Sequence, residues 1–227
     1  MDKLKIIEII ENFAPLNLAE DWDCSGWAVK TDRTNIKKIM LALTVTDEVV
    51  KQAQHKRCDM IISHHPLFFL PISYKDTDIY CVHTNLDKTI GGTTDTLIDI
   101  LDLPKGDIAG EFLRITDYKT DINGFIKKLC KISDNVRIVN NKKIEEMNRI
   151  AFCAGSGADF IEEASANGAE ALVTGDIKFH TAIESPIVLF DIGHFESEIP
   201  VLKVLSELLE EKVEVIFAEE KSPFKSI

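Results

Sequence analysis

One pattern limits the folds open to this chain more than any other: a strand–helix–strand–strand unit that occurs twice, 111 residues apart. Lys38-Ile39-Met40-Leu41 lines up with Arg149-Ile150-Ala151-Phe152, Ala53 with Ala164, Asp59 with Glu170, and Ser63 with Thr174. The pair His83…Asp87 falls on His194…Glu198, and the alignment needs no gap. Identities are few, but the order of elements and the His-x-x-x-carboxylate spacing are shared. Such self-similarity is the mark of a duplicated unit. Alternation of strands and helices argues for α/β layers.

The elements follow from local chemistry. Leu4, Ile6, Ile7, Ile9, Ile10 and Phe13 make one face of an opening helix that Pro15 ends. Strands are expected at 39–45, 60–63, 79–82, 150–154, 171–174, 186–192 and 213–217. Thr46-Asp47-Glu48 starts a helix with a hydroxyl cap and acids in its first turn. Further helices are expected at 94–101, 122–129, 158–166 and from His194 to Glu210, with Pro200 tolerated in the first turn. The polar stretch 104–147 has weaker patterns, with strands near 112–115 and 136–139. The chain then reads as a first α/β repeat (1–110), a connecting segment (111–148) and a second α/β repeat (149–227).

Composition enters mainly by exclusion. Hydrophobic residues are 45% and charged residues 28% of 227, enough for one large or two small cores. A formal charge of −12 argues against sequence-independent nucleic-acid binding, which needs basic patches. No apolar run is long enough for a membrane span, and no signal peptide opens the chain. Five cysteines without a C-x-x-C favour reduced thiols in a cytoplasmic protein.

The chemistry gathers at strand ends. In Ile61-Ile62-Ser63-His64-His65-Pro66, the proline has no N–H for a central ladder, so the strand stops and presents two imidazoles. The second copy has Gly175-Asp176 at this place. Together with His83…Asp87 and His194…Glu198, these groups suit zinc, iron or manganese, and no thiolate signature of a structural zinc site is present. His194 and Glu198, one helical turn apart, share a face. Taken singly, each piece has an ordinary reading: a surface histidine pair, or a helix-capping ion pair. Found at three strand ends of one repeat, they favour a two-metal site with open positions for water. Glu20-Asp21-Trp22-Asp23-Cys24-Ser25-Gly26-Trp27 reads first as a surface turn anchored by tryptophan, and second as a loop leaning over the site. Gly155-Ser156-Gly157 is either a tight turn or an anion cradle at a helix N-terminus. His180 and Lys178 are candidates to face the site, although a solvated position suits Lys178 better.

The set Trp22-Asp23…Gly26, Asp59-Met60-Ile61-Ile62-Ser63-His64-His65-Pro66-Leu67-Phe68, His83-Thr84-Asn85-Leu86-Asp87…Gly91-Gly92, Cys153-Ala154-Gly155-Ser156-Gly157, Thr174–His180 and Asp191–Glu198 resembles the GTP cyclohydrolase 1 type 2 homolog family, also called Nif-three-like. The resemblance implies two intertwined α/β domains with mixed sheets flanked by helices, in the compact form without a long insert. It implies two divalent metal ions per chain, held by His64, His65, Asp87, His194 and Glu198, with His83 supporting them from behind. It also implies a ring-shaped homohexamer. The chain departs from the family pattern at Cys24, where asparagine is usual, at Trp27, where leucine is common, and at Thr44, where an aspartate is common.

The residues support metal-assisted hydrolysis, a phosphoester among the candidate substrates, with Glu196 or His180 moving protons; the resemblance implies a nucleotide-like substrate, through opening of a purine nucleotide ring. The alternative is a non-catalytic metal-binding scaffold, a metal-handling protein or a nucleotide-sensing regulator. Lys178 and the Gly155–Gly157 turn are the modest candidates for gripping phosphate.

Overall fold

The side chain of Asp2 accepts the amides of Leu4 and Lys5 and so starts α1 (Lys3–Phe13), whose Ile6, Ile7 and Ile10 are buried. The helix ends at Ala14, before Pro15, in a computed structural model that describes residues 1–224. Next come β1 (Gly26–Val29) and β2 (Lys38–Ala42), then α2 (Asp47–His55), capped by the Thr46 hydroxyl on the Val49 amide. β3 (Met60–Ser63) and β4 (Asp78–Cys81) are buried along their whole length. α3 (Thr84–Lys88) and α4 (Thr93–Ile100) lead to β5 (Asp107–Ala109), β6 (Leu113–Asp121), α5 (Ile122–Leu129) and β7 (Arg137–Val139). The second copy of the repeat holds β8 (Glu146–Phe152), α6 (Ile161–Ala166), β9 (Ala171–Thr174), α7 (Phe179–Glu184), β10 (Val188–Asp191) and α8 (His194–Glu198). α9 (Val201–Leu209) and β11 (Glu214–Phe217) follow.

Three expectations change. The helix after His194 is two helices, because Pro200 has no N–H to give and the chain restarts at Val201. β6 runs on to Asp121 beyond the expected 112–115, with a register shift between Asp117 and Thr120. β1, which begins inside the stretch expected as a loop, and β5, in the polar segment where no strand is expected before 112, are both short, and each pairs antiparallel with a partner that local pattern does not reveal.

Two compact units result, each with its own sheet. The first combines Met1–Gly92 with Val201–Lys221. Its sheet has the order β1-β4-β3-β2-β11, parallel except for β1. Met40, Ala42, Val49, Val50, Ile61 and Ile79 form part of its core. The second unit comprises Thr93–Pro200 and the described residues from Ser222. Its sheet has the order β5-β6-β8-β9-β10-β7, parallel only across β8, β9 and β10. Phe125 packs edge-on to both Phe152 and Phe190 in its core. The segment 111–148 supplies β6, α5 and β7 to this unit, and residues 201–221 belong to the first unit because β11 pairs with β2. Among the described residues, no helix is long and apolar enough to cross a membrane.

The repeat is real at atomic detail. Asp59 accepts the Lys37 and Lys38 amides; 111 residues on, Glu170 accepts the Asn148 and Arg149 amides. Arg57 and Gly168 both close their helix with positive φ, at 56° and 80°. The gapless alignment nevertheless fails at its far end. Met60 pairs with Asp78, whereas Ala171 pairs with Val188, so the offset drops from 111 (171 against 60) to 110 (188 against 78). His194 is therefore the first residue of α8, matching Thr84 in α3, while His83 is the residue before α3. The two His-x-x-x-carboxylate elements are not equivalent.

Candidate functional site

In the first unit β3 ends at Ser63, and His64 and His65 continue it for one step each, their amides donating to the carbonyls of Ala42 and Leu43. The chain turns at Pro66, and both imidazoles fall on one side with ring centroids 5.0 Å apart. His83, from the end of β4, brings its ring to 5.2 Å from His64 and 5.9 Å from His65. One ligand atom each from His64, His83 and Asp87 lie within 4.8 Å of one another. His64 Nε2 stands 3.5 Å from Asp87 Oδ1. Bonds of about 2.0–2.2 Å to one tetrahedral ion place two ligands roughly 3.4 Å apart, so this spacing fits a shared cation.

The loop before β1 holds His83 in place, so the second of its two sequence readings is the correct one. Asp23 takes His83 Nδ1 at 2.9 Å, the Thr84 amide at 3.1 Å, and the hydroxyls of Thr84 and Ser25 at 2.5 and 2.7 Å. The Trp22 ring stands edge-on to His83. Burial alone would raise the Asp23 carboxyl, but the hydrogen bonds from Ser25, Thr84 and His83 outweigh it and bring the pKa to about 2. Burial, helped by the charge of His64, holds His83 below the usual histidine value against the pull of Asp23. His83 is thus a neutral imidazole hung on an ionised carboxylate.

In the second unit, His194 and Glu198 lie one turn apart on α8, with Nε2 3.0 Å from Glu198 Oε2. Nδ1 of His194 meets Asp176 at 2.7 Å. Burial works against charge on His194, yet Glu198 and Asp176 overcome it and raise its pKa to about 9. Glu198 is buried against Gly155, where a Cβ would stand 2.1 Å from its Oε1. Gly155 has φ +71° and its amide is taken by Ser197 Oγ. The Gly155-Ser156-Gly157 turn is therefore packed against the Glu198 carboxylate, and the tight-turn reading holds over the anion cradle.

In His64, His65, His83 and His194 alike, Nδ1 is the nitrogen turned to a protein partner behind the ring. His64 Nδ1 faces the Val82 carbonyl at 2.9 Å, and a carbonyl only accepts, so the proton sits on Nδ1. His83 and His194 turn Nδ1 to carboxylates, and His65 turns Nδ1 to the Thr44 hydroxyl at 2.7 Å. Holding Nδ1 from behind is typical of ligating histidines, and here Nε2 of His64 lies 3.5 Å from Asp87 and Nε2 of His194 lies 3.0 Å from Glu198.

Glu196 does not join His194 and Glu198. It lies two residues from each along α8, and its carboxylate folds back against Gly193, lining a cavity of about 470 Å³ with Ser133, Asn135 and Phe224. His180 is exposed on α7, with its ring on Phe179, and Lys178 is exposed before it. Sequence reasoning passed over two positions. Asp191, at the end of β10, accepts the amides of Ile177 and Gly193 and a charged contact from Arg137. Glu220, after β11, accepts the amides of Leu43 and Thr44. An acid at the end of a buried strand was the available signal for Asp191; nothing local marked Glu220.

Comparison with known proteins identifies the family and the fold. The pattern of the Duf34/NIF3 (NGG1p interacting factor 3) family matches residues 1–223. A GTP cyclohydrolase 1 type 2 homolog of Clostridium perfringens is 34% identical, with 98% of each chain covered. A protein of the same description from Clostridium acetobutylicum is 30% identical over 90% of this chain and 88% of its own. The structure titled reduced HcgD from Methanocaldococcus jannaschii superposes with a TM-score of 0.85 at 28% identity, covering 97% of this chain and 98% of its own. A Bacillus cereus protein related to NIF3 has a TM-score of 0.89 at 18% identity over 100% and 99% of the two chains, which speaks for the fold.

Proposed function

The chain belongs to the Duf34/NIF3 (NGG1p interacting factor 3) family, and from that premise we propose that it is a dinuclear metal-binding protein and a metal-dependent hydrolase of a nucleotide-like substrate. The observation that carries the reading is the seating of the imidazoles: the protein holds Nδ1 of His64, His83 and His194, while Nε2 of His64 lies beside Asp87 in one unit and Nε2 of His194 beside Glu198 in the other. The proposed ligands are His64, His65 and Asp87 in the first unit, and His194 and Glu198 in the second. Two divalent ions held there would acidify a water and polarise a phosphoryl group or ring carbon for its attack. Zinc, iron and manganese all suit the nitrogen and carboxylate donors.

The remaining groups orient and support. Asp23 fixes the tautomer and tilt of His83 beside His64. Asp176 orients the His194 ring through Nδ1. Glu196 and His180 stay nominated for proton transfer, with Glu196→Gln and His180→Ala as the variants that test them. The nucleotide-like substrate rests on the description carried by the Clostridium relatives. Assembly into a homohexamer in the cytoplasm belongs to the same proposal. Phe68, Phe69 and Ile72, exposed on one loop after His65, are supporting apolar surface, and light scattering tests the assembly.

The deciding experiment is metal analysis of gently purified protein beside the double variant His64→Ala, His65→Ala. Close to two ions per chain in the wild type, with loss in the variant, is expected. A metal-free wild type that takes up none of the three metals sinks the reading. Incubation of loaded protein with nucleotides and phosphoesters then separates enzyme from scaffold. Product that disappears with Asp87→Ala and Glu198→Ala supports the hydrolase; absence of any product leaves the scaffold ahead.

A further inference from the structure

His65 hangs on a short piece of backbone that another part of the chain holds. Its amide donates to the Leu43 carbonyl at 2.8 Å, and its Nδ1 pairs with the Thr44 hydroxyl at 2.7 Å. Backbone and ring are thus both referred to Leu43 and Thr44, the two residues beyond the end of β2. Their own amides point at one carboxylate, with Leu43 N at 2.6 Å and Thr44 N at 2.9 Å from the two oxygens of Glu220. That side chain is delivered by a fixed segment. The Ala218 amide continues the β11–β2 ladder onto the Leu41 carbonyl at 2.8 Å. Gln52, on α2, then grips Glu219 twice, accepting its amide at 2.8 Å and donating to its carbonyl at 3.2 Å. The side chain of Glu219 is tied to Lys56 at 2.8 Å.

We propose that Glu220, acting through Leu43 and Thr44, is the positioning residue that orients His65 for its metal, so that the segment after β11 is part of the metal-binding apparatus. The inference rests on the two-metal reading above, and it adds a ligating atom and a supporting chain of contacts to it. Charge-assisted bonds from two amides to one carboxylate are strong and directional. They fix the peptide plane whose carbonyl receives the His65 amide. The Thr44 hydroxyl oxygen then accepts the Nδ1 proton and leaves Nε2 to bind. Groups that hold a ligand from behind in this way typically contribute 10- to 100-fold in metal affinity.

The test uses full-length protein, wild type and the variants Glu220→Ala, Thr44→Val and Thr44→Ser. Zinc affinity is measured by competition with a chelating dye, and the His65 ring nitrogens are observed by NMR in metal-free protein. Expected are roughly 10- to 100-fold weaker zinc binding in Glu220→Ala and Thr44→Val, a His65 spectrum in both shifted away from the wild-type form, and wild-type affinity and spectrum in Thr44→Ser, which keeps the hydroxyl. Thr44→Val keeps the shape of threonine and serves if Glu220→Ala fails to fold. An unchanged His65 spectrum in both variants overturns the proposal, and so does zinc affinity equal to wild type. Wild-type protein that binds no zinc, iron or manganese defeats the two-metal reading. In that case the positioning of His65 is read from its spectrum alone, and a spectrum indifferent to Thr44 and Glu220 overturns that as well.

Discussion

The loops after β3 and after β9 stand at the same place in the two copies of the repeat and carry different chemistry. The first has His64-His65, the second Gly175-Asp176. In the first copy a buried imidazole rests on a backbone carbonyl, and its neighbour rests on a hydroxyl. In the second, the loop offers a carboxylate to a histidine that comes from the next helix. The preceding strand ends differ in step. Thr44 and Gly155 are 111 positions apart: one supplies the hydroxyl that holds His65, and the other has no side chain, so that Glu198 can pack against it. Duplication provided the sheet and its strand ends. The one-residue slip at β10 and these few substitutions then gave the first unit imidazoles seated on a carbonyl, a hydroxyl and Asp23, and the second unit an imidazole paired with two carboxylates.

The support beneath the first cluster is the place to break this contrast hardest. Asp23→Asn is expected to lower unfolding free energy at pH 7 by roughly 2 kcal/mol, the worth of a carboxyl shifted from 3.8 to about 2. The sign is that of a depressed acid: its stabilisation is complete above the unfolded pKa and is lost as pH falls from about 4 to 2. Urea titrations of both proteins should therefore converge near pH 2. A gap that persists there would show that the Asp23 charge was not the cause.

Gly155→Ala probes the second strand end. At φ +71° any side chain is strained, and a Cβ there would meet Glu198 Oε1 at 2.1 Å. A loss of about 1–2 kcal/mol is expected. The His194 ring signal should shift as Glu198 is displaced. Stability equal to wild type with an unmoved His194 would mean that the turn has room the geometry denies.

The smallest effect sharpens the electrostatic half of the comparison. His194, raised to about 9 by Glu198 and Asp176 against the cost of burial, is charged at neutral pH in metal-free protein. A raised histidine contributes stability fully below about 6.5, and that contribution fades as pH rises through about 9. Metal-free protein should lose a little stability over this window, and Asp176→Asn should move the window downward. NMR titration of His194 measures it directly; a midpoint near 6.5 would contradict the ion-paired arrangement.

Much of this was legible in the chain itself. The buried four-residue strands β3 and β9, the Thr46 cap and the stop at Pro66 follow from apolar runs, hydroxyl placement and a missing N–H, all of which are local. The repeat could be read because strand, helix and His-x-x-x-carboxylate positions recur at one spacing. The sequence therefore determined the α/β layers, the strand ends and the residue types gathered there. Tertiary structure decided which histidine is which. Sheet register, set by hydrogen bonding between β9 and β10, moved His194 onto its helix and left His83 just ahead of α3, and no local pattern reports a register. It also brought Asp23 to His83 across 60 residues, and Glu220 to Thr44 across 176. Contacts of that range exist only once the sheet is assembled, because only then are the backbone amides that receive these carboxylates fixed in space.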